Sequence, residues 1–129
     1  MAKYGKCAVD AVNLITSHSL SPENAWETAA STIFGEGTSS QRKSCPRAAF
    51  LGLCGTGHVK NVTACIYTKS KKNKDYAIKA VRLLQADSSL ASSPFDLWAK
   101  VIGTKTIRHN NQIDIVIALW NRGLIVDDH

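Results

Sequence analysis

Apolar residues recur at intervals of three and four along most of this chain, which is the spacing of one face of a helix. Tyr4, Cys7, Ala8, Ala11, Leu14 and Ile15 predict a first helix over about 4–17. Ser21 and Pro22 predict the start of a second, over about 22–34. A serine oxygen satisfies a free N–H there, and a proline at the first helical position surrenders an N–H that had no partner. Trp26, Ala29, Ala30, Ile33 and Phe34 form its apolar stripe, and Gly35 stops it. A short third helix is predicted from Pro46 to Cys54, ended by Gly55. Three more follow at about 71–85, 94–102 and 111–122, and Gly123 with Leu124 predicts a Schellman closure of the last. Only the stretch 56–69 leans toward β composition, as a short strand or an extended crossing.

The second half repeats the grammar of the first. "AVDAVNLI" (8–15) is answered by "AIKAVRLL" (77–84), and "SPENAW" (21–26) by "SPFDLW" (93–98). Gly35 to Gly55 and Gly103 to Gly123 are both intervals of 20 residues, with Leu51 and Leu119 at matching places before their ends. These matches in order predict an all-α, six-helix globule built from two tandem three-helix repeats, about 4–56 and about 71–126. An irregular or short extended crossing over about 57–70 joins them. The whole of 1–129 is expected to be one domain packed through Trp26, Trp98 and Trp120, and 44% hydrophobic content suffices for one core.

No apolar run is long enough to span a membrane, and Asp10 and Asn13 interrupt the N-terminal apolar stretch where a signal peptide would need continuity. The expectation is a cytoplasmic protein without a membrane partner, whose four cysteines are thiols.

Charge changes the picture once it is located. The net charge is +6, yet residues 1–40 sum to −2 and residues 83–129 to −1, while residues 41–82 carry ten Lys/Arg against one acid, Asp75. In "TKSKKNKDYAIKAVRLL" (68–84) Ser70 is a natural cap, but Lys71, Lys72 and Lys74 crowd a helix end that already carries roughly half a positive charge. Cations and free N–H groups together favour a polyanion. Arg42, Lys43, Arg47, Lys60, Lys69, Lys71, Lys72 and Lys74 are therefore the candidate nucleic-acid-binding residues, with Tyr67 and Tyr76 as aromatic faces for a base. The reading is a non-enzymatic protein that binds DNA or RNA through residues 42–74. An acidic protein partner for a helical interaction module is the alternative use of the same face.

Other constellations carry less. "GEGTSSQRKSCPR" (35–47) combines glycines, hydroxyls and cations before a helix without the Gly-Lys-Ser/Thr of a phosphate loop, and it reads first as a polar, helix-capping loop. Cys45, Cys54, His58 and Cys65 are spaced by gaps unlike a zinc knuckle, so neither a metal nor a cofactor is expected. Cys54 corresponds in the repeat to Arg122, which predicts partial exposure, with His58 four residues on as a base: a small thiol-dependent enzyme is the third reading. A helix C-terminus disfavours that thiolate. His109 stands beside Asn110, Asn111 and Asp114, where Asn111 and Asp114 mark a helix start.

"GEGTSSQRKSCPRAAFLGLCGTGHVKN" and "YTKSKKNKDYAIKAVRLL" resemble a family of small bacterial proteins described as a domain of unknown function. The resemblance covers most of the chain, implies a bacterial intracellular protein and assigns no catalytic residue. "ALWNRGLIV" (118–126) is similar to the end of a winged-helix recognition helix, although the interval from Gly103 to Asn111 is long for that motif.

Overall fold

The computed structural model describes residues 3–103 and 111–126. Six α-helices lie close to their predicted bounds: α1 (Lys3–His18), α2 (Pro22–Phe34), α3 (Ser44–Gly55), α4 (Lys71–Ala86), α5 (Pro94–Ile102) and α6 (Gln112–Asn121). The described residues form no strand.

Local chemistry sets the helix ends. Asn24 N–H donates to Ser21 Oγ at 3.2 Å, and Pro22 takes the first helical position of α2. α3 begins two residues before Pro46, because a proline in the first turn still falls among N–H groups that lack helical partners. Leu124 N–H reaches the Leu119 carbonyl at 2.9 Å and Gly123 N–H that of Trp120 at 3.1 Å, which is the Schellman closure of α6. A 3-10 turn, Ser88–Ser92, buries Leu90 between α4 and α5, with Ser89 N–H donating to Asp87 Oδ1. Periodicity does not predict this turn, since one leucine among serines repeats nothing.

The crossing is irregular, with an isolated antiparallel bridge between Val59 and Ile125. Lys60 N–H donates to the Leu124 carbonyl at 2.8 Å, and Val126 N–H to the His58 carbonyl at 2.9 Å. The chain after α3 is thereby tied to the chain after α6.

One buried cluster draws on all six helices. α1 packs along α2 and α6, α3 along α4 and α6, and α4 also meets α5 and α6. The third helix of each predicted unit thus lies against the first helix of the other. Every residue from Ala48 to Cys54 is buried, so α3 is enclosed on all sides. Trp26 lies 5.3 Å from Phe50 and Trp98 stands edge-on to Tyr76 at 5.1 Å, each within its own half, while Trp120 is half-buried. Ile113, Ile115, Val116 and Leu119 are fully buried, which makes α6 a core helix rather than one laid out for a DNA groove. Residues 104–110, including His109 and Asn110, lie outside the described residues.

α3 and α4 cross with their backbones in contact. A Cβ at Gly52 would stand 2.7 Å from Lys74 Cβ and 2.9 Å from Lys74 Cα. The first turn of α4, with its lysines, therefore rests directly on α3.

Candidate nucleic-acid interface

The start of α4 keeps the unfavourable charge that its sequence predicts. Its first turn holds no acid, and Ser70 occupies the cap position without a side-chain bond to the backbone. Ser70 Oγ instead accepts from Asn73 Nδ2 at 3.0 Å, while Ser70 N–H donates to Thr68 Oγ1 at 3.2 Å. Asn73 continues the chain of bonds, because its Oδ1 accepts from Gln112 Nε2 at 3.0 Å. Next to Gln112, Asn111 Oδ1 accepts from Lys43 Nζ at 2.5 Å. Two adjacent residues at the start of α6 thus hold Lys43, before α3, on one side and the lysine-rich turn of α4 on the other.

This geometry sorts the eight predicted cations. Lys43 and the turn carrying Lys71, Lys72 and Lys74 converge on the start of α6. Arg42 precedes Lys43, Arg47 stands one turn further along α3, and Lys69 precedes Ser70. Lys60 is set apart: its backbone meets Leu124, beyond the far end of α6, a helix about 15 Å long by its rise whose other end holds Lys43. Among the described residues none of the eight forms an ion pair; the pair observed there is Lys6 with Asp10 at 2.8 Å, on α1. Asp75 stands one turn from Lys71 and pairs with no lysine among the described residues. Asp114 Oδ2 accepts from Asn111 Nδ2 at 2.8 Å, so one carboxylate stands near Lys43, whereas the lysines of the first turn of α4 form no described ion pair and keep their field available to an outside anion.

The two tyrosines are less available than the sequence implies. Tyr76 has Trp98 against its ring and Lys72 Nζ at 5.8 Å from its centroid. Tyr67 is half-buried, and its O–H donates to the Thr63 carbonyl at 2.6 Å. The loop after α2 likewise folds on itself. Gly37 N–H donates to Gln41 Oε1, Gln41 N–H to Thr38 Oγ1, and Thr38 Oγ1–H to the Gly35 carbonyl, so these groups serve the loop itself.

Cys54 departs from its expected partial exposure, being 0% exposed. Its counterpart Arg122 lies past the end of α6, whereas Cys54 stands inside α3, where every residue from Ala48 to Cys54 is buried, so equal places in the predicted repeat have unequal surroundings. Burial, with the Glu23 carboxylate adding to it, raises the Cys54 thiol above its ordinary pKa and favours the unreactive neutral form. Cys7 is pushed up to about 12 by burial and by Asp10. His58 is buried, its Nδ1 2.6 Å from Thr56 Oγ1. Cys45 is half-buried and Cys65 exposed, and all four cysteines are free. No described group of three or more His, Cys, Asp or Glu is placed to hold a metal ion. A brief pulse of thiol reagent at neutral pH is expected to modify Cys65 first and to leave Cys7 and Cys54 intact until the chain unfolds. Peptide mass analysis reads the order, and early labelling of Cys54 would revive the thiol enzyme.

Sequence reasoning missed the polar bridge. Gln112 is 4% exposed at the start of an apolar helix, and a polar side chain in such a place needs a partner. That was the available signal, but it does not say that the partner is Asn73, 39 residues away.

A family model spans residues 1–126 of the chain. The chain belongs to that family, DUF6979. It is a family of unknown function, so membership fixes no activity and the interface must be argued from its own residues. No curated protein and no solved structure matches the chain. No helix among the described residues is long and apolar enough to cross a membrane.

Proposed function

We propose that this protein binds nucleic acid without acting on it, holding phosphates against Arg42, Lys43, Arg47, Lys69, Lys71, Lys72 and Lys74 around the start of α6. One observation carries the reading: the bonds from Lys43 to Asn111 and from Gln112 to Asn73 gather cations from two distant stretches, and none of them forms a described ion pair, Asp114 being bonded to Asn111 rather than to a lysine. The lysines also flank N–H groups of a first turn that no side chain caps, and such groups donate to phosphate oxygens. Lys60 belongs to the basic stretch of the sequence but not to this face. Its distance along α6 makes it an outlying contact at most.

The scaffold under the face fits a duplicated three-helix unit whose third helices have changed places. Matched positions support that origin: Cys7 Sγ lies 3.9 Å from the Trp26 carbonyl, and their counterparts Tyr76 and Trp98 also touch. Cytoplasmic localisation accords with this function.

Titration of labelled DNA and RNA fragments tests the proposal. With about five phosphates neutralised, affinity is expected to fall roughly 500-fold between about 50 and 200 mM salt, as counterions are released. Absence of retardation at the lower salt would reject it. Recovery of a protein from nuclease-treated lysate, with no nucleic-acid retardation, would transfer the face to an acidic protein partner.

A further inference from the structure

Ile66 and Phe95 are the large apolar side chains left exposed among the described residues, at 89% and 60%. Phe95 sits in the first turn of α5. Ile66 lies inside the basic segment, and it lines with Lys74 a small cleft of about 60 Å³ whose floor includes Leu51, Gly52 and Gly55. Its backbone is fixed from both sides. Cys65 N–H donates to the Gly55 carbonyl at 3.1 Å, the Tyr67 hydroxyl is anchored on Thr63, and Thr68 accepts from Ser70. The close approach of the Cys65 carbonyl to Gly55 leaves no room for a Cβ there. An isoleucine held away from the core on a pinned segment, beside unpaired lysines, is placed to enter something negatively charged with an apolar interior.

We propose that Ile66 is a wedge that enters the minor groove of double-helical DNA and partly unstacks one base step, while the neighbouring lysines hold the phosphates on either side. The proposal rests on the nucleic-acid reading above and narrows it to a partner. Double-helical rather than single-stranded substrate follows from the aromatics: stacking on free bases needs an open ring, and Tyr76 is covered by Trp98 and Lys72 while Tyr67 is half-buried. DNA rather than RNA follows from groove shape, since proteins that kink DNA insert single apolar side chains from the minor groove, whereas RNA duplexes are recognised by shape and 2′-hydroxyl contacts. A bilayer is a poorer match. Insertion into lipid takes an amphipathic stripe, and α4 presents Lys71, Lys72, Asp75, Lys79 and Arg82 outward, leaving a lone isoleucine.

The test uses the full chain and a DNA duplex of about 25 base pairs with a donor and an acceptor dye at its ends, read at low salt. Wild type is expected to shorten the end-to-end distance to that of a bend between roughly 20 and 90°. Ile66→Ala, at an exposed position, is expected to melt with wild type and to keep the salt slope of binding, but to lose the shortening. Binding without shortening, or equal shortening by wild type and Ile66→Ala, would overturn the wedge and leave the phosphate face standing. Tighter binding to a single strand of the same length would also overturn it. Retention on vesicles of anionic lipid that Ile66→Ala abolishes, with duplex DNA left straight, would give the side chain to a membrane surface. Failure to bind any duplex or single strand, of DNA or RNA, would instead reject the nucleic-acid reading itself.

Discussion

Replacing Gly52 by alanine is expected to lower the melting temperature by roughly 5–10 °C, and replacing it by valine to lower it further. Alanine in a helix interior normally gains about 1 kcal/mol over glycine. Here the added Cβ would meet Lys74 Cα at 2.9 Å and Lys74 Cβ at 2.7 Å, and a main-chain atom cannot swing aside as a side-chain tip can. Either α3 or the first turn of α4 must move. α3 is enclosed on all sides, and the turn is held by the Asn73 bond to Gln112, so the shift spreads into packed core. Overpacking of that sort costs about 1–3 kcal/mol, enough to outweigh the gain in propensity. The same displacement moves Lys74, so nucleic-acid affinity should fall with stability. A Gly52→Ala protein that melts at or above the wild-type temperature would mean that α3 and α4 do not touch through their backbones.

Helix positions were legible because each carries punctuation as well as period. α2 is the clearest case: Ser21, Pro22, a stripe from Trp26 to Phe34 and Gly35 agree on one element, and its observed bounds match the prediction. Agreement among independent local signals is what lets a sequence specify an element. The 3-10 turn around Leu90 and the bridge from Val59 to Ile125 had no such signal, the first because it is too short and the second because its partners are 66 residues apart.

The candidate face was half legible. Charge placed it within residues 42–74, and the scarcity of acids around that stretch, Asp75 alone, was visible in the sequence. Which cations meet was not. Lys60 sits nearer to Lys69 in sequence than Lys43 does, yet Lys43 and the start of α4 both reach Asn111–Gln112 while Lys60 runs beside Leu124. Neighbourhood in space was decided by α6, a helix that contributes no charge to the prediction. Cys54 shows the opposite error. Its place in the predicted repeat implies partial exposure, but exposure depends on what covers a position, and Cys54 lies in a stretch of α3 that is buried throughout.

Substituting Lys71, Lys72 and Lys74 together by glutamine is expected to separate affinity from stability. Each lysine stands where the helix field is already positive, so its removal should leave the fold unharmed or firmer by a few tenths of a kcal/mol. Glutamine keeps most of the side-chain length, including the stem of Lys74 over Gly52, so packing at the crossing is preserved. Binding should respond differently. With three of about five phosphate contacts gone, the loss of affinity between about 50 and 200 mM salt should shrink from roughly 500-fold to roughly 12-fold, because each neutralised phosphate adds about 0.9 to the logarithmic salt slope. A matched change at Lys60 should alter that slope by one contact or less, since Lys60 stands at the other end of α6. Melting curves and salt titrations of both variants provide the measurement. An unchanged slope in the triple variant would show that the turn does not meet phosphate, however strongly the protein binds, and the face would have to be sought elsewhere on the surface.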